Sequence, residues 1–460
     1  TLGRAEIDAR FDADQDDRWR ARIALSDLEQ PDLTLDSATL TGRGVLRRAS
    51  PRGVTALAEF DISGLELADA AQAEAAGTQL SGHTTLEWTE GTPLLVRALR
   101  VVSGAATLAA NGRVEALTEG FPVSGSARID APDLARFAAV SGQDLSGAAQ
   151  ARLAGSGSLL GGDFDITLDA ATERLALGIE QVDPLIGPPA TLALKARRDE
   201  SGIALERFRL ENERLIATAE GNIGSERGAL AVTAALDDLS RADPRLDGPV
   251  DARTQLDWEA GGSVTLSELV AEAMGARITG SATVSPDAEG RPASGRINAQ
   301  VDDLSRFAAI AGRPLEGSID GALVGNGTID SQVFDVTLEA ATDGLTTGID
   351  QVDGLVAGDG TLRISADHDG RETTLRELRL DYDAARLTAS GRGILAEQSG
   401  ELTFDANIPQ LSVIDPRLDG PASGTGTVAR APDGEITVDG LAARIMGAEI
   451  TADGTVQPDP

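Results

Sequence analysis

The chain repeats itself at a spacing of about 170 residues, and this constrains its fold more than any other feature of the sequence. The segment 133–139 recurs, with conservative changes, as 303–309, and 164–168 recurs as 334–338. Repeats of this kind stack as copies of one unit and bury a shared core. We therefore predict a partial unit over 1–120 and two whole units over 121–290 and 291–460, joined in one continuous elongated β structure.

A shorter motif inside each unit predicts β-hairpins. Counting from an apolar residue, further apolar residues follow at +3, +5, +10, +12 and +14, and glycine stands at +16. Copies begin at Val96, Leu205, Leu375 and Val438, and a slightly compressed copy begins at Leu266. Residues two apart on a strand share a face, so each copy indicates two strands with one apolar face around a small turn.

Strict alternation continues between the hairpins, as in Phe164, Ile166 and Leu168, which are separated by polar residues. We expect roughly 35–45 short strands in an antiparallel sheet. The segments 134–138 and 304–308 carry apolar residues at i, i+3 and i+4 and predict short helical insertions.

One apolar face on every strand produces a continuous apolar strip, which has to contact something. Only 3% of the residues are aromatic, which disfavours a sandwich core. The small residues at inward positions favour a thin or hollow section, and these patterns alone do not separate a filled narrow solenoid from an open trough. We predict a mostly β fold: an elongated antiparallel β-sheet repeat curled into a U-shaped trough (a β-taco or open β-solenoid) with short helical insertions.

The composition excludes several classes of function. The formal net charge is −34 and no basic stripe offsets it, so nucleic acid is not an expected partner. The chain has no cysteine, which excludes disulfides, thiolate metal sites and cysteine nucleophiles. No motif of a nucleotide-binding or hydrolytic enzyme stands in a credible strand–helix context. We expect no catalytic residues, no cofactor and no enzymatic activity.

The few candidate metal ligands do not form a pattern. The two histidines, His83 and His368, have no second histidine at ligand spacing, and we interpret both as surface residues. An EF-hand loop needs glycine at its sixth position and glutamate at its twelfth. Counted from Asp12, Asp17 and Ile23 stand there instead. We interpret the acidic group Asp12, Asp14, Asp16 and Asp17 as a solvated turn, and no metal site is expected.

The hairpin motif is accompanied by a recurring Leu-x-Gly element in acidic, cysteine-free, glycine-punctuated strands. Together these features resemble the TamB family (translocation and assembly module) of the AsmA-like superfamily. The element occurs at Leu80/Gly82, Leu145/Gly147, Leu246/Gly248, Leu315/Gly317 and Leu418/Gly420.

The resemblance implies a periplasmic protein of a Gram-negative bacterium, anchored in the inner membrane. It implies a β trough that reaches toward the outer membrane and an Omp85-type (TamA-like) barrel as partner. The family's roles are lipid passage between the membranes and assembly of outer-membrane proteins. No stretch approaches 18 uninterrupted apolar residues. We expect the anchor and the barrel-binding end to lie outside this segment.

The leading hypothesis is a non-enzymatic periplasmic conduit whose apolar groove carries the acyl chains of phospholipid between the two membranes. Two alternatives stay open: a β-strand chaperone or scaffold for outer-membrane protein or autotransporter assembly, and a structural β-rod or surface adhesin with a filled core. The predicted lipid-binding residues are apolar strand positions: Leu99, Val101, Leu108, Phe164, Ile166, Leu168, Leu192, Leu194, Phe208, Leu210, Phe334, Val336, Leu338, Leu362, Ile364, Leu378, Leu380, Leu387 and Ile450.

Overall fold

The computed structural model describes residues 1–13, 17–115, 120–158, 160–180, 182–224, 226–241, 243–415 and 417–457, apart from the side chain of Gln351. Within these residues the chain is mostly β, with two compact units, Thr1–Gly224 and Ser225–Pro460. The strands of each unit pair antiparallel and leave the sheet open, not closed into a barrel. The predicted fold class is confirmed. The 170-residue repeat boundaries differ from the unit boundaries and stay a prediction.

The first unit contains strands β1 to β14. Their bounds are β1 Leu2–Asp12, β2 Arg18–Gln30, β3 Leu33–Arg47, β4 Gly53–Ser63, β5 Glu66–Leu67, β6 Gln79–Thr89, β7 Leu94–Ser103, β8 Thr107–Val114, β9 Pro122–Ala131, β10 Ser146–Ser158, β11 Phe164–Ala176, β12 Ala190–Asp199, β13 Gly202–Asn212 and β14 Leu215–Ile223. Strands adjacent in the chain pair with each other, except that β4 pairs with β6 and the short β5 pairs with β3.

The second unit contains strands β15 to β28, and within it every strand described pairs with its neighbours in the chain. Their bounds are β15 Arg227–Leu236, β16 Val250–Glu259, β17 Val264–Ala273, β18 Ala276–Val284, β19 Pro292–Val301, β20 Glu316–Thr328, β21 Phe334–Thr346, β22 Gly360–His368, β23 Thr373–Tyr382, β24 Arg386–Ile394, β25 Ser399–Ile408, β26 Ala422–Arg430, β27 Ile436–Ile445 and β28 Ala448–Val456.

Short helices lie in the connections between strands. The α-helices are α1 Ala70–Ala76, α2 Ala138–Ser141, α3 Asp183–Ile186, α4 Ala308–Ala311 and α5 Asp350–Asp353, and the 3-10 helices are Leu134–Phe137, Leu239–Arg241, Leu304–Phe307, Leu395–Glu397 and Leu411–Val413. The two predicted helical segments are confirmed as a 3-10 helix followed by an α-helical turn. Each is capped by the repeat-equivalent Asp133 or Asp303, whose carboxylate accepts a backbone N–H.

The expected 35–45 short strands are wrong, because the described chain forms 28 strands, most of them longer than expected. Apart from the two-residue β5, they run from 8 residues in β8 to 15 residues in β3. The hairpin motif shows why. The register shifts between Val96 and Leu99, where two residues of β7, Arg97 and Ala98, lie opposite one residue of β8, Asn111. Such a β-bulge breaks the alternation in the sequence without ending the strand.

The same bulge explains the +3 step in every copy of the motif. The glycine at +16 is the cross-strand partner of the apolar residue at position zero, as Gly112 is of Val96. The copy beginning at Leu266 is not compressed, because it has the same bulge and pairs Leu266 with Ala282 at +16. The five predicted hairpins are confirmed: β7–β8, β13–β14, β17–β18, β23–β24 and β27–β28.

The longer helical insertions of each unit all lie at one edge of its sheet, which we name the helical edge. The described residues of these insertions are 64–78, 132–145, 177–180 and 182–189 in the first unit and 237–241, 243–249, 302–315, 347–359, 409–415 and 417–421 in the second. The opposite edge, which we name the turn edge, carries mainly short turns. The glycine of the Leu-x-Gly element has a positive φ at four of its five positions, including Gly147 and Gly317, where the chain leaves an insertion.

The most buried apolar residues concentrate at the helical edge. Ala105, Ile186, Val356 and Tyr382 are only 1–4% exposed. The Tyr382 hydroxyl is 2.6 Å from the hydroxyl of Thr342, two strands away. The insertions therefore supply a small core along this edge, since a single-layer sheet cannot bury both of its faces.

The repeat-equivalent methionines Met274 and Met446 provide a matched test of this core. Both occupy tight turns at the helical edge with φ near 54°, but Met274 is 5% exposed and Met446 is 54% exposed. We expect Met274→Ala to lower the free energy of unfolding by about 2–5 kcal/mol and Met446→Ala to change it by about 0.5 kcal/mol or less. Urea unfolding followed by circular dichroism measures both, and equal effects would contradict the burial of Met274 in this core.

Candidate functional site: the apolar face

The strand register places all of the predicted lipid-binding residues on one face of the sheet in each unit, which we name the apolar face. In the first unit these are Leu99, Val101, Leu108, Phe164, Ile166, Leu168, Leu192, Leu194, Phe208 and Leu210. In the second unit they are Phe334, Val336, Leu338, Leu362, Ile364, Leu378, Leu380, Leu387 and Ile450. Their common face is settled, and their contact with lipid stays a prediction.

The apolar face continues across successive strands of each unit as rows of apolar residues. In the first unit one row joins Leu153, Leu168, Leu194 and Phe208 on four successive strands. Further along the same face, Leu108 pairs with both Val101 and Ile129 on its two neighbours. In the second unit a row joins Leu323, Leu338, Ile364 and Leu378. Paired residues of an antiparallel sheet point the same way, so these rows form one surface.

This surface is shielded only in part. Of the predicted residues, Leu210 is buried, Phe334 and Ile450 are 38% and 43% exposed, and the other sixteen are half-buried. Among the described residues, no large side chain is less than 2% exposed. A closed protein interior packs its large side chains fully out of water. The apolar face is therefore not packed as such an interior.

A cavity of about 540 Å³ lies on the apolar face of the first unit, on the turn-edge side. It spans five strands, β7 to β11, and its apolar lining includes three of the predicted residues, Leu99, Phe164 and Ile166. Its floor carries the glycines Gly112, Gly125, Gly155 and Gly157, which follow one another across β8, β9 and β10. The volume lies in the range of small-molecule sites in proteins.

The second unit has a cavity of about 390 Å³ at the repeat-equivalent place. Its lining contains Gly295, Gly325 and Gly327, which correspond to Gly125, Gly155 and Gly157 after 170 residues. The predicted residues Phe334 and Val336 also line it. Each of the two compact units thus has a glycine-floored cavity on its apolar face, and most of the floor comes from sequence positions 170 residues apart.

The glycines are necessary because neighbouring backbone lies where a side chain would stand. A Cβ atom at Gly155 would be 2.2 Å from the carbonyl oxygen of Asp165, and one at Gly125 would be 2.3 Å from that of Asn111. Sequence reasoning missed these glycines as site residues. The available signal was their recurrence after 170 residues beside Phe164 and Phe334.

The two histidines lie on opposite faces. His83 is exposed on the polar face, as predicted. His368 is half-buried on the apolar face, where its ring stacks on Phe334 with the ring centroids 5.6 Å apart. Its Nδ1 atom is 3.0 Å from the Thr373 hydroxyl. The interpretation of His368 as a surface residue did not predict its place on the apolar face, where its cross-strand partner is an aromatic ring.

Ion pairs that cross between strands follow the polar face of the second unit. Arg376 donates to Asp335 across two strands, and this hydrogen bond holds the pKa of Asp335 below its usual value. Arg363 pairs with Glu339 and with Glu377 on its two neighbouring strands. These side chains are largely solvated, so each pair contributes little to stability.

A similar pair lies in the first unit, where Lys195 and Glu206 are in contact at 2.5 Å. Their hydrogen bond raises the pKa of Lys195 and lowers that of Glu206. The ion pairs described here thus lie on the face opposite the cavities.

No group of three or more potential metal ligands occurs among the residues that the structure describes. Of the acidic group near the first turn, Asp14 and Asp16 lie outside the described residues.

None of the helices in the described ranges is long and apolar enough to cross a membrane.

Comparisons of the chain with family models, with curated proteins and with solved structures gave no match.

Proposed function

We propose that the chain is a non-enzymatic carrier whose apolar face holds the acyl chains of phospholipid. The observation that carries this proposal is the pair of glycine-floored cavities at repeat-equivalent positions. A repeat that preserves empty apolar space in both units supplies equivalent sites on the apolar face of each. Equivalent sites suit a cargo that moves by exchange from one to the next.

The energetics support an acyl chain as the occupant. Removing one CH₂ group from water contributes about 0.8 kcal/mol, so a chain of about 16 carbons gains many times the thermal energy by lying on the apolar face. The face continues beyond each cavity along rows such as Leu168–Leu194–Phe208. A long, flexible ligand can therefore use more of the surface than either cavity provides.

The resemblance to the TamB family adds a cellular location and a partner to the proposal. We propose a location in the periplasm of a Gram-negative bacterium, with the full-length protein anchored in the inner membrane. The cargo would pass between inner and outer membrane, in connection with outer-membrane protein assembly. An Omp85-type barrel would be a partner through regions outside this segment.

The rival with a filled core, a β-rod or adhesin, is disfavoured by the half-buried state of the apolar residues. In a filled core, residues such as Leu168 and Ile364 would be almost completely excluded from water. Both are only half-buried. The chaperone alternative is distinguished from the carrier by what the face binds, a protein strand or a lipid.

Native mass spectrometry of the purified segment tests the proposal. We expect the chain to retain phospholipid as discrete mass increments, to lose them on detergent stripping and to regain them from added lipid. A denatured sample from the same preparation is the control for carry-over. A chain that neither retains nor regains lipid would contradict the carrier function.

A further inference from the structure

The polar face of the first unit carries a row of arginines across its first three strands. In the strand register Arg10 of β1 lies opposite Arg20 of β2, and Arg20 lies opposite Arg43 of β3. Directly opposite side chains in an antiparallel pair have Cβ atoms about 4.5–5.5 Å apart, and like charges at this distance destabilise the pairing. Three guanidinium groups in one row are therefore costly to the sheet unless something neutralises them.

The surrounding side chains neutralise the row only in part. In the next row Arg22 stands between Asp8 on β1 and Thr41 on β3, and Glu59 follows on β4. Arg10 forms an ion pair with Asp8 of its own strand, with its Nε atom 3.4 Å from Asp8 Oδ1.

The other three arginines of the cluster lack such partners. Among the described residues, Arg20, Arg22 and Arg43 form no ion pair, and all three are exposed. In a chain with a net charge of −34 and 74 carboxylates, three unpaired arginines on adjacent strands form an isolated cationic cluster.

The cluster surrounds a cavity of about 390 Å³ on the polar face. Its charged lining consists of Asp8, Arg10, Arg20, Arg22, Arg43 and Glu59, a formal charge of +2 from four arginines and two carboxylates. The guanidinium group is planar and presents several N–H donors that match phosphate oxygens in bidentate fashion. The cavity thus combines room for a small group with donors of one charge.

We propose that this cavity is a binding site for a phosphate group, held by Arg20 and Arg43 with support from Arg10 and Arg22. The ligand chemistry is that of an anionic phosphate, which a free phosphate or a phospholipid headgroup equally provides. The site lies on the face opposite the apolar one, so experiments can support or contradict phosphate binding independently of the carrier function.

Titration calorimetry of the full chain with inorganic phosphate tests the proposal. We expect saturable binding that weakens by at least about tenfold in the double variant R20Q/R43Q, because hydrogen bonds from a charged donor to phosphate are lost. The matched control is R128Q/R152Q, which removes another cross-strand arginine pair from the polar face and should change the dissociation constant by less than about twofold.

A second variant guards against a folding defect. R20K/R43K keeps both charges and removes the planar fork, so we expect an intermediate loss of affinity with an unchanged circular dichroism spectrum. Dihexanoylphosphatidylglycerol, used below its micelle concentration, is the second probe. A larger effect of R20Q/R43Q on this lipid than on phosphate would identify a headgroup site, and an equal or smaller effect would identify a phosphate site. Absence of saturable phosphate binding, or equal losses in R20Q/R43Q and R128Q/R152Q, would overturn the proposal.

Discussion

Ile166→Arg should leave the chain folded and reduce its binding of acyl chains by at least about tenfold. Ile166 is half-buried in the wall of the first cavity, and its cross-strand partners are Gly155 and Ala196. An arginine at a face that is open on one side can extend its charged end into water, so the cost to folding stays small. A bound acyl chain would instead have to desolvate the charge, which is far more costly than one lost apolar contact.

The repeat supplies a second copy of this experiment. Val336→Arg places the same charge beside Gly325 in the second cavity, and the double variant should bind less lipid than either single one. Ala154→Arg is the control, because Ala154 is exposed on the polar face of β10. Lipid bound per chain, from native mass spectrometry, and circular dichroism are the measurements. If Ile166→Arg unfolds the chain while Ala154→Arg does not, the face is a filled core and the carrier function is wrong.

The sequence predicted the apolar face well because the face depends on local alternation alone. Every predicted residue, from Leu99 to Ile450, lies on it, since side chains two apart on a strand share a face whatever the strand pairs with. Local sequence patterns also predicted the hairpins and the helical segments 134–138 and 304–308. They did not predict strand length, because the bulge at Val96–Leu99 is a property of the paired strands.

The cavities and the arginine cluster depend on which strands become neighbours. Gly112, Gly125 and Gly155 are far apart in the chain and meet only through the register of three strands. Arg20 and Arg43 likewise face each other only after β2 and β3 pair. A single sequence indicates the faces of its strands, but not the register that sets residues of separate strands side by side.

The need for glycine beneath the cavities can be tested, because an added Cβ atom would contact different atoms at repeat-equivalent glycines. A Cβ at Gly155 would stand 2.2 Å from the Asp165 carbonyl oxygen and 2.9 Å from Ile166 Cα, both of them backbone atoms. At Gly325 the closest atom is Val336 Cγ1 at 2.9 Å, which a rotation of that side chain can move. We expect Gly155→Ala to lower the free energy of unfolding by about 1–3 kcal/mol and Gly325→Ala to lower it by less.

A third glycine provides a control, because its replacement shows the general effect of changing glycine to alanine where no other strand approaches closely. Gly454 lies in β28 without a positive φ, and a Cβ atom added to it would have no neighbouring atom within 4 Å. Gly454→Ala should therefore stabilise the chain by about 0.4–1 kcal/mol, because alanine restricts the unfolded state more than glycine does. Urea unfolding of the three variants measures these free energies. An effect of Gly155→Ala as small as that of Gly454→Ala would contradict the close approach of β10 and β11 beneath the first cavity. The floor of that cavity would then not need to be free of side chains.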